Sequence, residues 1–331
     1  MATTIKDIAR RAGVSPATVS KVLNRKDAFI GEETRKRIWS LARELNYRPN
    51  SIARSLVTRR SRVIGIVVPD ILNPYFTELV RACDDAARRR GYTTILCNSD
   101  GIPANEEAHL TFLAGHGVDG IVLAASDVVP NADLLQALNI PFLSMDREIG
   151  ELDCLAARVD TDCRSGALQS AGYLIARGHD RIAFLSGSAA SANTRIRLEG
   201  FEEAHRSAGM AVDPELVRCG EFQHSFGYRA TLSLLDTTSF SAICCMSDML
   251  AIGAMAALRE RGVGIPGGCA VMGFDNIYLA PLLDRPLSTV DRRIFESGRI
   301  AIDALIDFLE DPERRRSAIL LETSVVERTT A

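Results

Sequence analysis

From Val63 onward the chain repeats one device, a short continuous apolar run followed by a stretch with helical spacing. The runs are VIGIVV (63–68), TTILC (93–97), GIVLA (120–124), PFLSM (141–145), RIAFLS (181–186), SAICCM (241–246) and CAVMGF (269–274). Between them lie stretches such as 76–90, 164–177, 195–208 and 249–261, whose apolar residues recur at helical intervals. Strands that are apolar on both faces and separated by helices call for a parallel sheet covered on both sides. Residues 61–331 are numerous enough for two such sheets, so two doubly wound lobes are expected.

Acidic residues punctuate this pattern. Asp70, Asp100, Asp146 with Arg147, Asp248 and Asp275 each follow an apolar run. Ligands bind open parallel sheets beyond the carboxyl ends of the strands, so these side chains are expected to converge on a cleft between the lobes. Tyr75 and Phe76 would add aromatic surface, with Arg197 and Phe222 coming from the second lobe.

The first 60 residues follow different rules. Residues 1–62 hold 15 Lys and Arg against 5 Asp and Glu, whereas the whole chain carries a net charge of −3. All four lysines, Lys6, Lys21, Lys26 and Lys36, fall in this segment. A basic head on an acidic body predicts that the head alone meets a polyanion. Ile5, Ile8, Ala9 and Ala12 recur at helical spacing, Gly13 supplies a tight turn, and Ser15 and Pro16 suit the start of a second helix. In that helix Val19, Val22 and Leu23 face one way, and Pro16, Ala17, Ser20, Lys21 and Asn24 the other. A third helix, about 32–46, offers Ile38, Leu41, Ala42 and Leu45 to a small core. This is the pattern of a helix-turn-helix whose second helix enters the DNA major groove. Small residues at Pro16 and Ala17 permit close approach, and Lys21 reaches a guanine edge or a phosphate.

The stretch TIKDIARRAGVSPATVSKVLN (4–24), followed by YRPNSIARSL (47–56), resembles the start of lactose/galactose-repressor (LacI/GalR) family transcription factors. The resemblance runs through the whole chain. It implies a helix-turn-helix domain at 1–49, a hinge at 50–60 that becomes helical on operator DNA, and a periplasmic-binding-protein-like core at 61–331. Within the core it implies an N-lobe of about 61–160 and 291–320 and a C-lobe of about 161–290 and 321–331. DNA contacts would come from Thr4, Ser15, Pro16, Ala17, Thr18, Ser20, Lys21, Asn24, Asn50, Ala53, Arg54 and Leu56. Leu56 would wedge into the minor groove at the centre of a palindromic site, where a step such as CG kinks readily. Arg54, Arg59, Arg60 and Arg62 would hold phosphates alongside.

In the core, Arg197 in RIRLEGF matches an effector anchor, and Asp275 in GFDN an effector-contacting acid. Tyr75, Phe76, Asp146, Phe222 and Asp248 match pocket positions. Asp248 could equally cap a helix, Asp275 has a similar capping alternative although the resemblance favours the pocket, and Tyr75 and Phe76 could be core packing. His179 matches a structural position. Ser247-Asp248 and Asp160-Thr161 stand where many members have Asn-Asp and Asp-Asn, so the resemblance implies a small polar, sugar-like effector without naming one. Either an inducer or a corepressor fits.

Enzyme signatures are missing. The sequence has no G-x-G-x-x-G after the first run, no P-loop and no G-x-S-x-G elbow. His109 and His116 lack neighbouring cysteine ligands, and none of the eight cysteines forms a C-x-x-C pair. Neither catalysis, metal nor cofactor is expected, and the cysteines read as buried free thiols. No apolar run reaches membrane-spanning length and MATTIKDIARR has no signal core, so a cytoplasmic protein is expected. The same two points count against a solute receptor for transport, and the predicted cleft counts against a DNA-binding protein without an effector. Two-fold operators call for a homodimer, and the tail lacks the leucine heptads of a tetramerising coil.

Overall fold

The computed structural model describes residues 3–23, 27, 29–47, 60–124, 132–147, 149–150, 152–311, 313 and 317–331. It divides into two compact units, Met1–Ser61 and Arg62–Ala331. Asn24, Asn50, Ala53, Arg54 and Leu56 lie outside the described residues, as does the expected hinge apart from its last position.

The first unit contains three helices, α1 (Ile5–Ala12), α2 (Pro16–Leu23) and α3 (Glu32–Glu44). Ile8, Ala9, Ala12, Val19, Val22, Ile38 and Ala42 are buried together, so each helix spends one apolar stripe on a shared core. Gly13 ends α1 at φ +65°, a conformation that costs other residues strain. Ser15 opens α2: its hydroxyl accepts the Thr18 N–H at 3.1 Å, as a cap should.

The second unit holds two parallel sheets. One has six strands in the order β11-β5-β4-β3-β1-β2, formed by β1 (Val63–Val68), β2 (Thr93–Asn98), β3 (Gly120–Leu123), β4 (Phe142–Met145), β5 (Leu155–Thr161) and β11 (Ser317–Leu321). The other has four, β7-β6-β8-β9, from β6 (Ile182–Ser186), β7 (Val217–Cys219), β8 (Ala242–Cys245) and β9 (Ala270–Met272). A third, antiparallel ribbon pairs β10 (Thr289–Asp291) with β12 (Ser324–Val326). The seven apolar runs all become strands, and β1, β3, β4, β6, β8 and β9 are buried along nearly their whole length.

Helices α4 (Pro74–Arg89), α5 (Pro103–Gly115), α6 (Ala132–Leu138) and α11 (Ile294–Glu310) accompany the six-stranded sheet. Helices α7 (Cys163–Ala176), α8 (Ala192–Ser207), α9 (His224–Thr237) and α10 (Asp248–Glu260) accompany the four-stranded one. α9 and α10 touch backbone to backbone: a Cβ on Gly253 would stand 2.0 Å from the His224 carbonyl, so only glycine fits there. The chain passes between the sheets at 161–163, 291–294 and 321–324. Two lobes joined by three such crossings leave a cleft at the carboxyl ends of their strands. The cysteines are free, and all but Cys219 are buried.

Candidate functional site

A cavity of about 520 Å³ lies in that cleft. The six-stranded lobe presents Asp70, Asn73, Tyr75, Phe76 and Asp100 to it. The four-stranded lobe presents Asn193, Arg197, Phe222, Gln223, Ser247 and Asp275, and Arg292 lies between.

Local sequence explains much of this placement. Asp70 turns the chain after β1 by accepting the Leu72 N–H at 2.8 Å, and Asn73 caps α4 by accepting the Tyr75 N–H at 3.1 Å. The cap sets Tyr75 and Phe76 edge to face, with ring centroids 5.0 Å apart. Arg197 is buried in α8. Its Nη1 donates to the Met246 carbonyl at 2.5 Å, and its guanidinium lies 4.6 Å from the Phe274 ring and 5.4 Å from that of Phe222. Its Nε has no hydrogen-bond partner among the described residues, leaving a buried donor beside the cavity.

The densest part of the site is a buried cluster around Arg292. Nη2 donates to Asp146 Oδ2 at 2.6 Å, Nη1 to Asp275 Oδ1 at 2.9 Å and Nε to Thr161 Oγ1 at 3.1 Å. The Tyr75 ring covers the guanidinium at 4.3 Å, and the Tyr75 hydroxyl donates to Asp146 at 3.2 Å. Burial works against the charge on Arg292, but the surrounding acidic groups outweigh it and hold the side chain protonated. Burial also raises the Asp275 carboxyl, opposed by Arg292 and Arg197. The Tyr75 hydroxyl is pushed well above its ordinary range by burial. Sequence reasoning missed Arg292; the available signal was a pair of arginines directly after a strand-like stretch.

Three expected pocket residues stand elsewhere. Asp248 neither lines the cavity nor caps through its side chain. It is fully buried, with Oδ1 accepting from the Thr289 hydroxyl at 2.5 Å and Oδ2 from the Ile277 N–H at 2.9 Å. Ser247 caps α10 instead. Burial, reinforced by Asp275, pushes the Asp248 carboxyl well up. Arg147 turns away from the cleft into a buried ion pair with Glu106 of α5. Asp146 sits behind the lining, its Oδ1 taken by the backbone and hydroxyl of Thr161 at 2.6 and 2.8 Å. Asp275 does line the cavity, as do Tyr75, Phe76, Arg197 and Phe222. His179 bonds the Ser241 hydroxyl at 2.9 Å, a structural contact.

In the head, Ser15, Pro16, Ala17 and Lys21 are exposed along α2, and Thr18 and Ser20 are half-buried beside them. Thr4 opens α1, donating its hydroxyl and its backbone N–H to Asp7 at 2.7 and 3.0 Å. These bonds hold the Asp7 carboxyl below its ordinary range. The guanidinium of Arg62, a residue expected on phosphate, lies over the Tyr92 ring at 4.9 Å. Among the described residues no cluster of three or more His, Cys, Asp or Glu could hold a metal ion, and no helix is long and apolar enough to cross a membrane.

A helix-turn-helix head followed by a two-lobed α/β body with a polar cleft defines a ligand-responsive DNA-binding regulator. The family of bacterial regulatory proteins of the lacI type matches residues 4–50, and the periplasmic binding protein-like domain matches residues 171–331. The chain is 32% identical over 333 residues to the HTH-type transcriptional repressor PurR of Aliivibrio fischeri (strain MJ11), covering 98% of this chain and 97% of the relative. It is 35% identical over 331 residues to the HTH-type transcriptional regulator RegA of Clostridium saccharobutylicum, covering 99% of each. A cellobiose complex of the transcriptional regulator CelR matches with 28% identity and a TM-score of 0.76, over 99% of this chain and 100% of that one. The lac repressor dimer bound to operator and the anti-inducer ONPF superposes with a TM-score of 0.87 over 100% of this chain and 99% of that one, and at 24% identity it bears on the fold. This chain belongs to the LacI family of transcriptional regulators.

Proposed function

We propose that the protein is a cytoplasmic, homodimeric repressor that binds a palindromic operator and is switched by a small neutral polyol, a sugar or sugar derivative, held between its lobes. The observation that carries this reading is the cavity lining. A buried arginine with an unmade donor bond (Arg197) and a carboxylate (Asp275) face a polar cleft that Phe222, Tyr75 and Phe76 supply with ring surface. Vicinal hydroxyls need such paired donors and acceptors, and the apolar face of a sugar ring needs an aromatic neighbour. Solved relatives bound to cellobiose and to ribose support the same class. Aromatic side chains from both lobes also favour a second reading, a flat nitrogen heterocycle whose ring N–H groups Asp275 would accept.

On DNA, Ser15, Pro16, Ala17, Thr18, Ser20, Lys21 and Asn24 read the major groove, with Thr4 on the backbone. Asn50, Ala53, Arg54 and Leu56 engage the minor groove, Leu56 as the wedge. The effector changes the relation of the lobes and with it the hinges; a coupling of about 1–3 kcal/mol is enough.

Selection from random duplex DNA at two salt concentrations tests the reading. Enrichment of a palindrome with a central flexible step is expected, and it supplies the probe for screening sugars and heterocycles. Binding that shows no sequence preference and merely weakens with salt, with and without every compound screened, would overturn it.

A further inference from the structure

The Arg292 cluster joins parts of the chain that belong to different lobes. Asp146 follows β4 in the six-stranded lobe, Asp275 follows β9 in the four-stranded lobe, and Thr161 and Arg292 each sit where the chain crosses between them. The next residue, Arg293, has φ +52°, marking a sharp local turn from β10 into α11. Two further bonds run from lobe to lobe: Asn193 Nδ2 donates to the Asp146 carbonyl at 3.2 Å, and the Tyr278 N–H donates to Glu78 at 2.7 Å.

We propose that Arg292 is a clasp between the lobes: its guanidinium, shared by Asp146 and Asp275, favours the closed cleft and sets the cost of opening it to the effector. The planar guanidinium presents donors in a fixed fork, so one side chain can meet two carboxylates only when they stand at a set distance. Arg292, Asp146 and Asp275 are each at most 5% exposed at the side chain. Rotation of one lobe against the other separates the two carboxylates and forces at least one charged pair to part. The proposal rests on the effector reading for its consequence. Asp275 lines the cavity with one oxygen already on Arg292, so a ligand that bonds Asp275 acts directly on the clasp.

The effector-free full-length protein is sufficient for the test. The Tyr278 amide reports closure, because its partner Glu78 is on the other lobe. Hydrogen exchange is measured at Tyr278 and in strands β1 and β8 for wild type, Arg292→Gln and the triple variant Asp146→Asn, Arg292→Gln, Asp275→Asn. The triple variant leaves no buried charge of this cluster without its partner, so it decides the matter if the single one fails to fold. The expected result is exchange about tenfold faster at Tyr278, a typical coupling, with β1 and β8 unchanged. An unchanged rate at Tyr278, or a uniform acceleration through both sheets in the triple variant, would overturn the clasp. Neither outcome touches the effector reading, which fails separately if no compound alters operator binding.

Discussion

Arg147 meets Glu106 with both terminal guanidinium nitrogens, at 2.7 and 2.9 Å, and neither side chain is more than 3% exposed. A pair this deeply buried is costly to break from one side, because the remaining charge has no water to turn to. Glu106→Gln is expected to lower stability by about 3–5 kcal/mol, and Glu106→Leu combined with Arg147→Met to restore most of it. Urea unfolding of the three proteins checks this; an equal loss in the double variant would mean that the pair itself stabilises the lobe.

The cap at Ser15 separates folding of the head from DNA reading. Ser15→Ala removes the oxygen that accepts the Thr18 N–H and is expected to cost about 1 kcal/mol of head stability. Ser15→Asp keeps a capping oxygen but places a negative charge on the exposed start of α2. It should hold helix content by circular dichroism while operator affinity falls well below that of the alanine variant. Affinities that simply track stability would remove Ser15 from the DNA face.

In the cleft, Arg197→Ala is expected to keep operator binding and abolish the response to the effector found by screening. Collapse of DNA affinity would instead make Arg197 a structural residue. Gly187→Ala makes a finer test. Its Cβ would stand 2.1 Å from the Phe222 ring, and a ring can swing where a backbone could not. Phe222 is therefore expected to shift, weakening the effector about tenfold at little cost in stability. Calorimetric titration with that effector checks this, and undiminished affinity would take Phe222 off the ligand.

Asp160 makes stability depend on pH. Its carboxyl is pushed up to about 6 from 3.8, first by burial and then by the neighbouring Asp146. Between these values the folded protein binds more protons than the unfolded chain, so this group's contribution falls as pH rises through the window. Asp160→Asn is expected to be more stable than wild type by about 1–2 kcal/mol near neutral pH, after allowance for its partial exposure, and to lose that advantage below about pH 4. Denaturant titrations at both pH values decide; a difference independent of pH would assign the effect to packing.

Local order was legible where the physics is local. The seven apolar runs announced their strands because burial on both faces leaves no room for polar residues, and the Ser15 cap and Gly13 turn depend on neighbours a few positions away. β5 was harder to see. LAARVDT mixes Arg158 and Asp160 into its strand, and its partner β11 arrives from far along the chain, at 317–321, to pair with it. The ribbon of β10 and β12 has strands of three residues, too short for any periodicity to register.

The cleft shows the same division more sharply. Sequence pattern led to the expectation that acids would gather at the carboxyl ends of the strands, and the family resemblance placed Tyr75, Phe76, Arg197, Phe222 and Asp275 with them, while capping or core packing stayed open for Asp275, Tyr75 and Phe76. Only the tertiary structure decided what each carboxylate does once there. Asp248 is spent on Thr289 and Ile277, Arg147 on Glu106, and Asp146 on Arg292, a residue 146 positions away. Periodicity records which side chains leave water. Which buried charge finds which partner is set by packing that brings distant segments within about 3 Å, the reach of a hydrogen bond, inside one lobe for Arg147 and Asp248 and at a crossing between the lobes for Arg292.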